Sequence, residues 1–326
     1  MFAPWHPAAF QLPLPEPSVN KRNLVRRIPV LGGVATTLDH YESELAKMTE
    51  VNTARSAQID ALAREQGTLR SEIQALAADN DRLRRYLNGL AFSPDSAEGA
   101  DDGWPLPSAS LRFLVAGTDD LGVFLQLGRN GAELVQQMPG RHGRELTEVG
   151  RVLDFGCGCG RVVRHLAAAG AEIYGCDPNP HAIRWCETHL SFGQYEVTSL
   201  TPPLPYPDAH FGLVYAFSVF THLPVDLQRA WMDEMRRVIA PGGFLLFSAH
   251  GDSSIAPLTA DERIDYDAGK VVVRLGERAG ANECAAFHPP AYVRSVLAAG
   301  WDVVEHAPAG ATGNPSQDAY LLRCIR

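Results

Sequence analysis

The stretch from Val152 to Asp177, VLDFGCGCGRVVRHLAAAGAEIYGCD, constrains the fold more than any other part of this chain. An apolar run ends around Asp154, three glycines follow at alternate positions, and a second apolar run ends at Asp177. This order predicts a buried strand, a tight turn, a helix over 161–169 and a second strand. Glycines in such a turn let a ligand approach the backbone beside the free N–H groups of the helix start.

The two acids indicate which ligand the turn can hold. A dinucleotide fingerprint reads G-x-G-x-x-G and needs no acid before it, because the ligand there is a pyrophosphate. Here the spacing is G-x-G-x-G, and Asp154 would repel an anion and hold a cation. Asp177 stands where a carboxylate accepts hydrogen bonds from ribose hydroxyls. A ligand that has a ribose and an amino group, and no phosphate, satisfies both acids.

From Leu111 onward, apolar runs alternate with helical stretches, which predicts a mostly parallel sheet with crossover helices. Strands are predicted at 151–154, 172–176, 193–197, 211–216, 243–249, 301–305 and 318–324. Helices are predicted at 161–169, 179–189, 224–239 and 289–299. The insertion over 251–287 is expected to contain a strand pair around KVVVRLG.

Residues 111–326 resemble the class I S-adenosylmethionine-dependent methyltransferases. The landmarks are VLDFGCGCGR, GCDPNP, LPYPDAHFGLVYAFSVFTHL and RVIAPGGFLLFSAHG, which occur in this order along the chain. The resemblance implies an α/β fold with a Rossmann-like seven-stranded mixed sheet whose last strand is antiparallel. It also implies S-adenosyl-L-methionine as the cofactor.

The resemblance assigns the cofactor contacts residue by residue. They are Gly156, Gly158 and Gly160 under the methionine part, Asp154 at the amino group, Asp177 at the ribose, Pro178 beside the adenine, and Phe217 and Ser218 facing the cofactor after the fourth strand. Family members often carry an acid at the adenine edge, before the segment that reads PPLPYP here. This chain has Thr198 and Ser199 at that place, and we expect them to substitute for the acid.

Methyl transfer to an alcohol requires a base for the hydroxyl proton, whereas a neutral nitrogen needs less help. Ligands of doubly wound sheets bind beyond the carboxyl ends of the strands. His222 follows the fourth predicted strand and His250 the fifth, so either is a candidate general base. For His222 the alternative interpretation is a cap on the helix over 224–239 or a bond to backbone. His288, before two prolines, is interpreted as a turn residue. No metal site is expected, because Cys157 and Cys159 lack a second ligand pair at zinc spacing.

These residues favour O-methylation of a hydroxylated small molecule or glycan intermediate, with the glycan part resting on family analogy. Asn282, Glu283, Gln317 and Asp318 are candidates for recognising sugar hydroxyls, and ordinary loop polarity is the alternative interpretation. Two other functions stay open. One is an N-methyltransferase acting on a small metabolite or peptide, and the other is a coiled-coil scaffold with a degenerate cofactor domain.

Residues 38–90 show a heptad repeat. Position a is Leu38, Leu45, Asn52, Ile59, Gln66, Ile73, Asn80 and Leu87, and position d is Tyr41, Met48, Arg55, Leu62, Leu69, Leu76, Leu83 and Leu90. Asparagine at a with leucine at d favours a parallel two-stranded coiled coil. Glu65 with Arg70, and Asp79 with Arg84, stand as g-to-e pairs that would cross between the chains. We therefore expect a parallel homodimer, and a single amphipathic helix packed on the catalytic domain is the alternative.

Composition divides the chain into a proline-rich, basic segment over 1–37, the coiled coil over 38–90, a linker over 91–110 and the methyltransferase domain over 111–326. The formal net charge of -9 argues against a nucleic-acid partner, since proteins bind nucleic acids through basic surfaces. The 6 cysteines, without a signal peptide or a membrane-length apolar run, favour a cytoplasmic protein. Basic residues over 21–31 indicate either peripheral contact with the inner membrane face or a solvated tail.

Overall fold

The computed structural model describes residues 32–92, 96–99, 102–313 and 316–325, with side chains over 37–76 in the first of these ranges. The proposed membrane-contacting segment 21–31 lies outside the described residues. The chain divides into two units, Met1–Asn80 and Asp81–Arg326. No helix in the described part of the chain is long and apolar enough to cross a bilayer.

The long helix α1 extends over Gly32–Phe92, in agreement with the predicted helix. At 1.5 Å per residue it is about 90 Å long. The apolar a and d side chains between 37 and 76 are all exposed, from 51% for Leu69 to 67% for Tyr41 and Leu45. The helix thus carries one long exposed apolar stripe at the predicted spacing.

The second unit contains eleven named strands in its described part, and seven of them form the main sheet. Two short pairs lie outside that sheet: β1 (Ser96–Gly99) with β2 (Pro105–Leu106), and β8 (Val272–Arg274) with β9 (Ala285–Phe287). The strands of the main sheet are β3 (Arg151–Phe155), β4 (Glu172–Asp177), β5 (Gly193–Val197), β6 (Phe211–Ala216), β7 (Ile239–Ala249), β10 (Trp301–Ala311) and β11 (Gln317–Cys324).

The strand order in the main sheet is β10-β11-β7-β6-β3-β4-β5. Strands β7, β6, β3, β4 and β5 run parallel to one another, whereas β11 is antiparallel to both β7 and β10. Each central strand is buried on both faces, because helices cover the two sides of the sheet. The predicted seven-stranded mixed sheet and the strand pair in the insertion are confirmed.

The α-helices of this unit are α2 (Ala109–Ala116), α3 (Leu121–Gly140), α4 (Leu146–Val149), α5 (Pro180–His189), α6 (Val225–Val238), α7 (Ala260–Asp267) and α8 (Pro290–Tyr292), which continues as a π-helix over Val293–Leu297. Short 3-10 helices are formed by Val163–Leu166, Phe220–His222, Asp252–Ser254 and Gly276–Arg278. Asp120 caps α3 by accepting a hydrogen bond from the Val123 N–H at 2.8 Å, so this helix begins where its sequence indicates.

The predicted helix over 161–169 is wrong, since this segment forms only the 3-10 helix Val163–Leu166. Tertiary contacts explain the tighter winding. The Arg164 side chain is fully buried and donates to the Asp102 carboxylate at 2.6 and 2.9 Å. On the other side, a Cβ at Gly128 of α3 would collide with the Arg161 carbonyl oxygen. Packing from both sides overrides the helix propensity of the segment.

Asp102 also shows that part of the predicted linker 91–110 packs on the sheet unit. Arg164 donates to the Trp104 carbonyl at 2.9 Å, and the Trp104 ring lies 4.7 Å from the Phe192 ring. Leu106 of β2 is buried. These contacts anchor the chain just before α2, which fixes where α2 meets the glycine turn.

Candidate active site

The glycine turn joins β3 to the 3-10 helix and lies at the carboxyl edge of the sheet. Its start is bound to the end of β4, because the N–H groups of Gly156 and Cys157 both donate to the Cys176 carbonyl, at 2.8 and 3.0 Å. Gly156, Gly158 and Gly160 have φ values of 84°, 53° and 76°, in the left-handed region that favours glycine. The turn therefore requires glycine at all three predicted positions.

Side chains from distant segments approach this turn closely. A Cβ at Gly158 would lie 2.7 Å from the Val115 methyl groups of α2, and one at Gly156 would lie 2.5 Å from Val219 Cγ2. Val115 and Val219 thus form the apolar surface that faces the turn. Neither was singled out from the sequence, because valines in an apolar helix and after a strand have no local signal of their own.

Asp154 is an almost fully buried acid at the end of β3, with an exposed fraction of 4%. Burial raises the pKa of Asp154 to about 7, and the nearby Asp177 carboxylate adds to the increase. The Tyr215 hydroxyl and the Arg161 guanidinium oppose it. A carboxyl group in this state gains from a neighbouring ammonium group, so the site fits a ligand that brings an amino group.

Asp177 closes the turn from the other side. Its Oδ2 accepts a hydrogen bond from the Gly158 N–H at 2.9 Å, and its Oδ1 accepts one from the Asn179 N–H at 2.8 Å. Burial raises the pKa of Asp177, and these two bonds oppose the increase. Each carboxylate oxygen keeps a second lone pair, which could accept a ribose hydroxyl. The structure thereby gives Asp177 a role in holding the glycine turn that the sequence did not predict.

The other predicted cofactor residues line the same edge of the sheet. Pro178 is exposed beside Asp177, and the Thr198 N–H donates to the Asp177 carbonyl at 3.1 Å. Ser199 is exposed one residue further along. Phe217 lies after β6, with its ring centroid 5.5 Å from that of Tyr215, and Ser218 follows it with a positive φ of 58°. The predicted cofactor residues are therefore brought together around the ends of β3, β4, β5 and β6.

Arg161 is a site residue that sequence reasoning missed. Its guanidinium is close enough to Asp154 and Tyr215 to interact with both electrostatically, and burial lowers the pKa of Arg161. The available signal was its position directly after the third glycine of the motif. The Arg161 guanidinium places a positive charge beside the turn, whereas the prediction considered only the negative charge of Asp154.

His222 and His250 each bond to a backbone carbonyl of the insertion. His222 Nδ1 lies 2.7 Å from the Cys284 carbonyl oxygen, and His250 Nδ1 lies 3.2 Å from the Ala286 carbonyl oxygen. A carbonyl oxygen can only accept, so both histidines carry their proton on Nδ1 and have a free lone pair on Nε2. The two acceptors are two residues apart on one extended segment. The insertion thus brings the two predicted base candidates side by side in the same tautomer.

Burial keeps these imidazoles neutral. It lowers the pKa of His222, and it lowers the pKa of His250 to about 4. Repulsion between the two rings when both are protonated adds to the decrease for His250. His288 is fully buried, neither of its ring nitrogens has a hydrogen-bond partner, and burial lowers its pKa to about 3. The neutral state with a free Nε2 is the one that a general base requires.

The polar residues suggested for sugar recognition mostly have other partners. Asp318 accepts hydrogen bonds from the Ala309 N–H at 3.0 Å and from His306 Nε2 at 2.8 Å. Gln317 is buried and bonds to two serines, and Asn282 donates to the Leu114 carbonyl at 3.3 Å. The structure contradicts sugar recognition by Gln317 and Asp318, because the fold buries both side chains.

The insertion and α2 cover the carboxyl edge of the sheet together. Asn282 bonds to the end of α2, and the Gly280 N–H donates to the His222 carbonyl at 2.8 Å. A cavity of about 350 Å³ lies at the opposite edge, at the start of β3, β6 and β7, with Arg144, Arg151 and His210 in its lining. That cavity is remote from the acids and histidines described above.

Comparison with known proteins finds similarity to methyltransferases. A family model described as a methyltransferase domain matches residues 153–247. The ubiquinone biosynthesis O-methyltransferase of Thiobacillus denitrificans is 28% identical over 177 residues, which cover 53% of this chain and 72% of that protein. The malonyl-[acyl-carrier protein] O-methyltransferase of Pseudescherichia vulneris is 29% identical over 133 residues, which cover 41% of this chain and 50% of that protein.

Two solved structures are among those that this chain matches. A SAM-dependent methyltransferase from Methanosarcina mazei has a TM-score of 0.44 and 21% identity, covering 57% of this chain and 97% of that one. The 1,6-didemethyltoxoflavin-N1-methyltransferase of Burkholderia thailandensis has a TM-score of 0.46 and 14% identity, covering 64% of this chain and 82% of that one. The residues that the family model matches run from β3 into β7 and include the glycine turn and both acids.

Proposed function

Since this chain contains a class I S-adenosylmethionine-dependent methyltransferase domain, we propose that it methylates a hydroxyl oxygen of a small molecule or glycan intermediate. The observation that carries the proposal is the shared state of His222 and His250. Both hold a proton on Nδ1 and a free lone pair on Nε2, because both donate to backbone carbonyls of the insertion. A neutral imidazole beside the acceptor can take the hydroxyl proton, which an alcohol must lose when it is methylated.

The bound cofactor supplies an electrophilic methyl group on a sulfonium. We propose that Gly156, Gly158 and Gly160 bind its methionine part, and that Asp154 binds its amino group. Asp177 would accept the ribose hydroxyls through its remaining lone pairs, as its two backbone bonds leave one on each oxygen. Pro178, Thr198 and Ser199 would border the adenine, and Phe217 and Ser218 would face the cofactor from the end of β6.

The names of the relatives support oxygen as the acceptor atom. Two enzymes that match this chain over much of its sheet unit are O-methyltransferases, of ubiquinone biosynthesis and of malonyl-[acyl-carrier protein]. A histidine base would be dispensable for methylation of a neutral nitrogen. Dependence of the rate on His222 or His250 therefore separates the two acceptor atoms.

Calorimetric titration with S-adenosyl-L-methionine is the first test, on the wild-type protein and on Asp177→Ala. We expect micromolar binding that the variant loses. Hydroxylated aromatic acids, acyl carriers and sugars are then screened as acceptors with the wild type, His222→Gln and His250→Gln. Loss of the general base should lower kcat by about 10² to 10⁴ in one histidine variant. Full activity in both histidine variants would refute the base assignment and favour nitrogen as the acceptor.

We also propose that α1 forms a parallel two-stranded coiled coil with a second copy of this chain. The exposed a and d side chains form an apolar stripe that a partner helix would bury. Asn52 at position a favours two parallel strands, and Glu65 would face Arg70 of the other chain. The dimer would join two catalytic domains, or position them at a larger assembly.

Sedimentation equilibrium of the full chain tests the dimer. Leu62→Lys places a charge at a d position and is expected to yield monomers, because two lysines would meet in the seam. Ala57→Lys, at an f position on the opposite face, is the matched control and should remain dimeric. A monomeric wild type, or dimers that survive Leu62→Lys, would rule out this interface.

We propose a reducing compartment, the cytoplasm, as the working location. All six cysteines are free and buried in the structure, as thiols used for packing are. Non-reducing mass spectrometry of protein purified under air-free conditions should find six thiols. Disulfide-linked peptides in that sample would contradict this location.

A further inference from the structure

Ser218 adopts a backbone conformation that L-residues other than glycine avoid. Its φ of 58° places it in the left-handed region, two residues after the end of β6. An L-residue stays in this region only when its surroundings hold it there. Interactions with neighbouring residues must therefore hold Ser218 in this conformation.

Ser218 is held by a closed ring of three hydrogen bonds. The Ser218 N–H donates to Ser248 Oγ at 2.8 Å, and Ser248 Oγ donates to Gln317 Oε1 at 2.6 Å. Gln317 Nε2 then donates back to Ser218 Oγ at 2.9 Å. Ser248 and Gln317 are buried, with exposed fractions of 1% and 6%, so water cannot easily replace either partner.

The ring joins three neighbouring strands at their site-facing ends. Ser248 is the last residue but one of β7, and Gln317 is the first residue of β11. The turn that the ring holds carries Val219, whose Cγ2 lies 2.5 Å from the Cβ position of Gly156. The ring thus controls the side chain that packs over the first glycine of the cofactor turn.

We propose that Ser248 and Gln317 are positioning residues that hold Ser218 in its left-handed conformation and thereby shape the cofactor site. The inference rests on the proposed placement of the cofactor between the glycine turn and the 217–219 turn. Ser248 and Gln317 act through Ser218 and need not touch the cofactor. When the ring is opened, Ser218 relaxes toward ordinary backbone angles and Val219 moves relative to Gly156.

A double-mutant cycle tests this role, with S-adenosyl-L-methionine as the titrant and the full chain as the protein. Ser248→Ala removes two bonds of the ring and leaves the Ser218 N–H unpaired, which should raise Kd about tenfold. Ser218→Gly removes the backbone preference that the ring counteracts. In that background, Ser248→Ala should raise Kd by less than about threefold. Thermal stability should not recover in the same way, because the buried donor stays unpaired in both backgrounds.

Ser254→Ala is the matched control, because Ser254 is also buried and donates to a backbone carbonyl, that of Ser316 at 2.9 Å. It should bind the cofactor like the wild type. If Ser248→Ala does not fold, Gln317→Leu opens the same ring with a side chain of similar volume and enters the same cycle. Equal effects of Ser248→Ala in the two backgrounds, or an effect no larger than that of Ser254→Ala, would overturn the inference.

Asp177→Ala separates this inference from the proposed site. Loss of binding in Asp177→Ala together with unchanged binding in Ser248→Ala overturns the positioning role alone. Wild-type binding in Asp177→Ala overturns the proposed cofactor placement and the positioning role with it. Loss of binding in Asp177→Ala, with the non-additive effect in the cycle, supports both.

Discussion

Replacing Asp154 by asparagine should stabilise the cofactor-free protein relative to the wild type, and this stabilisation should increase as the pH rises. Burial raises the pKa of this carboxyl from 3.8 to about 7 in the folded state. An acid with a raised folded-state pKa binds more protons in the folded protein than in the unfolded one between these two values. Its ionisation therefore costs stability that is absent below about pH 4 and fully developed above about pH 7. Asparagine cannot ionise, so the variant escapes this cost.

The magnitude follows from the two pKa values, at 1.36 kcal/mol per unit. For 3.8 and about 7, the cost is about 2 kcal/mol at pH 5 and about 4 kcal/mol at pH 8. The free energy of unfolding of Asp154→Asn, minus that of the wild type, should increase by about 2–3 kcal/mol between pH 5 and pH 8. Effects of the amide on packing cancel in this difference, because they do not depend on pH.

Urea unfolding followed by tryptophan fluorescence measures the difference. Four of the 5 tryptophans, Trp104, Trp185, Trp231 and Trp301, lie in the sheet unit, so the signal reports mainly on that unit. Ser254→Ala changes no titratable group and is the control, with a difference from the wild type that is the same at both pH values. An Asp154→Asn difference that changes by less than about 0.5 kcal/mol between pH 5 and pH 8 would refute the reasoning, since it would mean that Asp154 titrates as a solvated acid.

Three further predictions concern the turn, the base and the anchor of the sheet unit. Gly158→Ala should destabilise the protein by about 1–3 kcal/mol in thermal melts, because the new methyl group collides with Val115. Adding Val115→Ala should recover part of this loss. An equal loss with and without Val115→Ala would count against the contact. Burial lowers the pKa of His250 to about 4. If His250 is the base, kcat/KM for the acceptor at saturating cofactor should therefore rise through about pH 4 and stay level up to pH 8. A fall in kcat/KM below about pH 6.5 would exclude His250 as the base. Asp102→Ala should lower the free energy of unfolding in urea by about 3 kcal/mol, because it leaves the fully buried Arg164 guanidinium without its carboxylate. A loss below about 1 kcal/mol would contradict a stabilising role for the Asp102–Arg164 pair.

Much of the architecture was predictable because its signals are local. The seven strand ranges of the main sheet were predicted from apolar runs, and each lies within or close to the observed strand. The start of α3 also has a local signal, because the Asp120 side chain caps the helix that it precedes. These features depend on residues within a few positions of one another, so the sequence alone carries them.

The predictions that were wrong concern features that depend on contacts between distant segments. The helix predicted over 161–169 was replaced by a 3-10 turn because Arg164 is held by Asp102, 62 residues earlier, and Gly128 approaches from α3. Gln317 was a candidate for recognising sugar hydroxyls, but its side chain is buried and bonds to Ser248, 69 residues away. Contacts between segments so far apart have no signature in a local pattern.

The sequence by itself determined the long helix with its heptad stripe, the glycine turn, and the two acids that select the kind of cofactor. Turn geometry, apolar periodicity and the charge of a carboxylate are properties of neighbouring residues. Only the tertiary structure decided how these parts work at the site. It gave His222 and His250 their tautomers through carbonyls 62 and 36 residues away, and it formed the ring around Ser218 across three strands. The physical reason is that buried polar groups must find partners, and folding determines which partners are within reach.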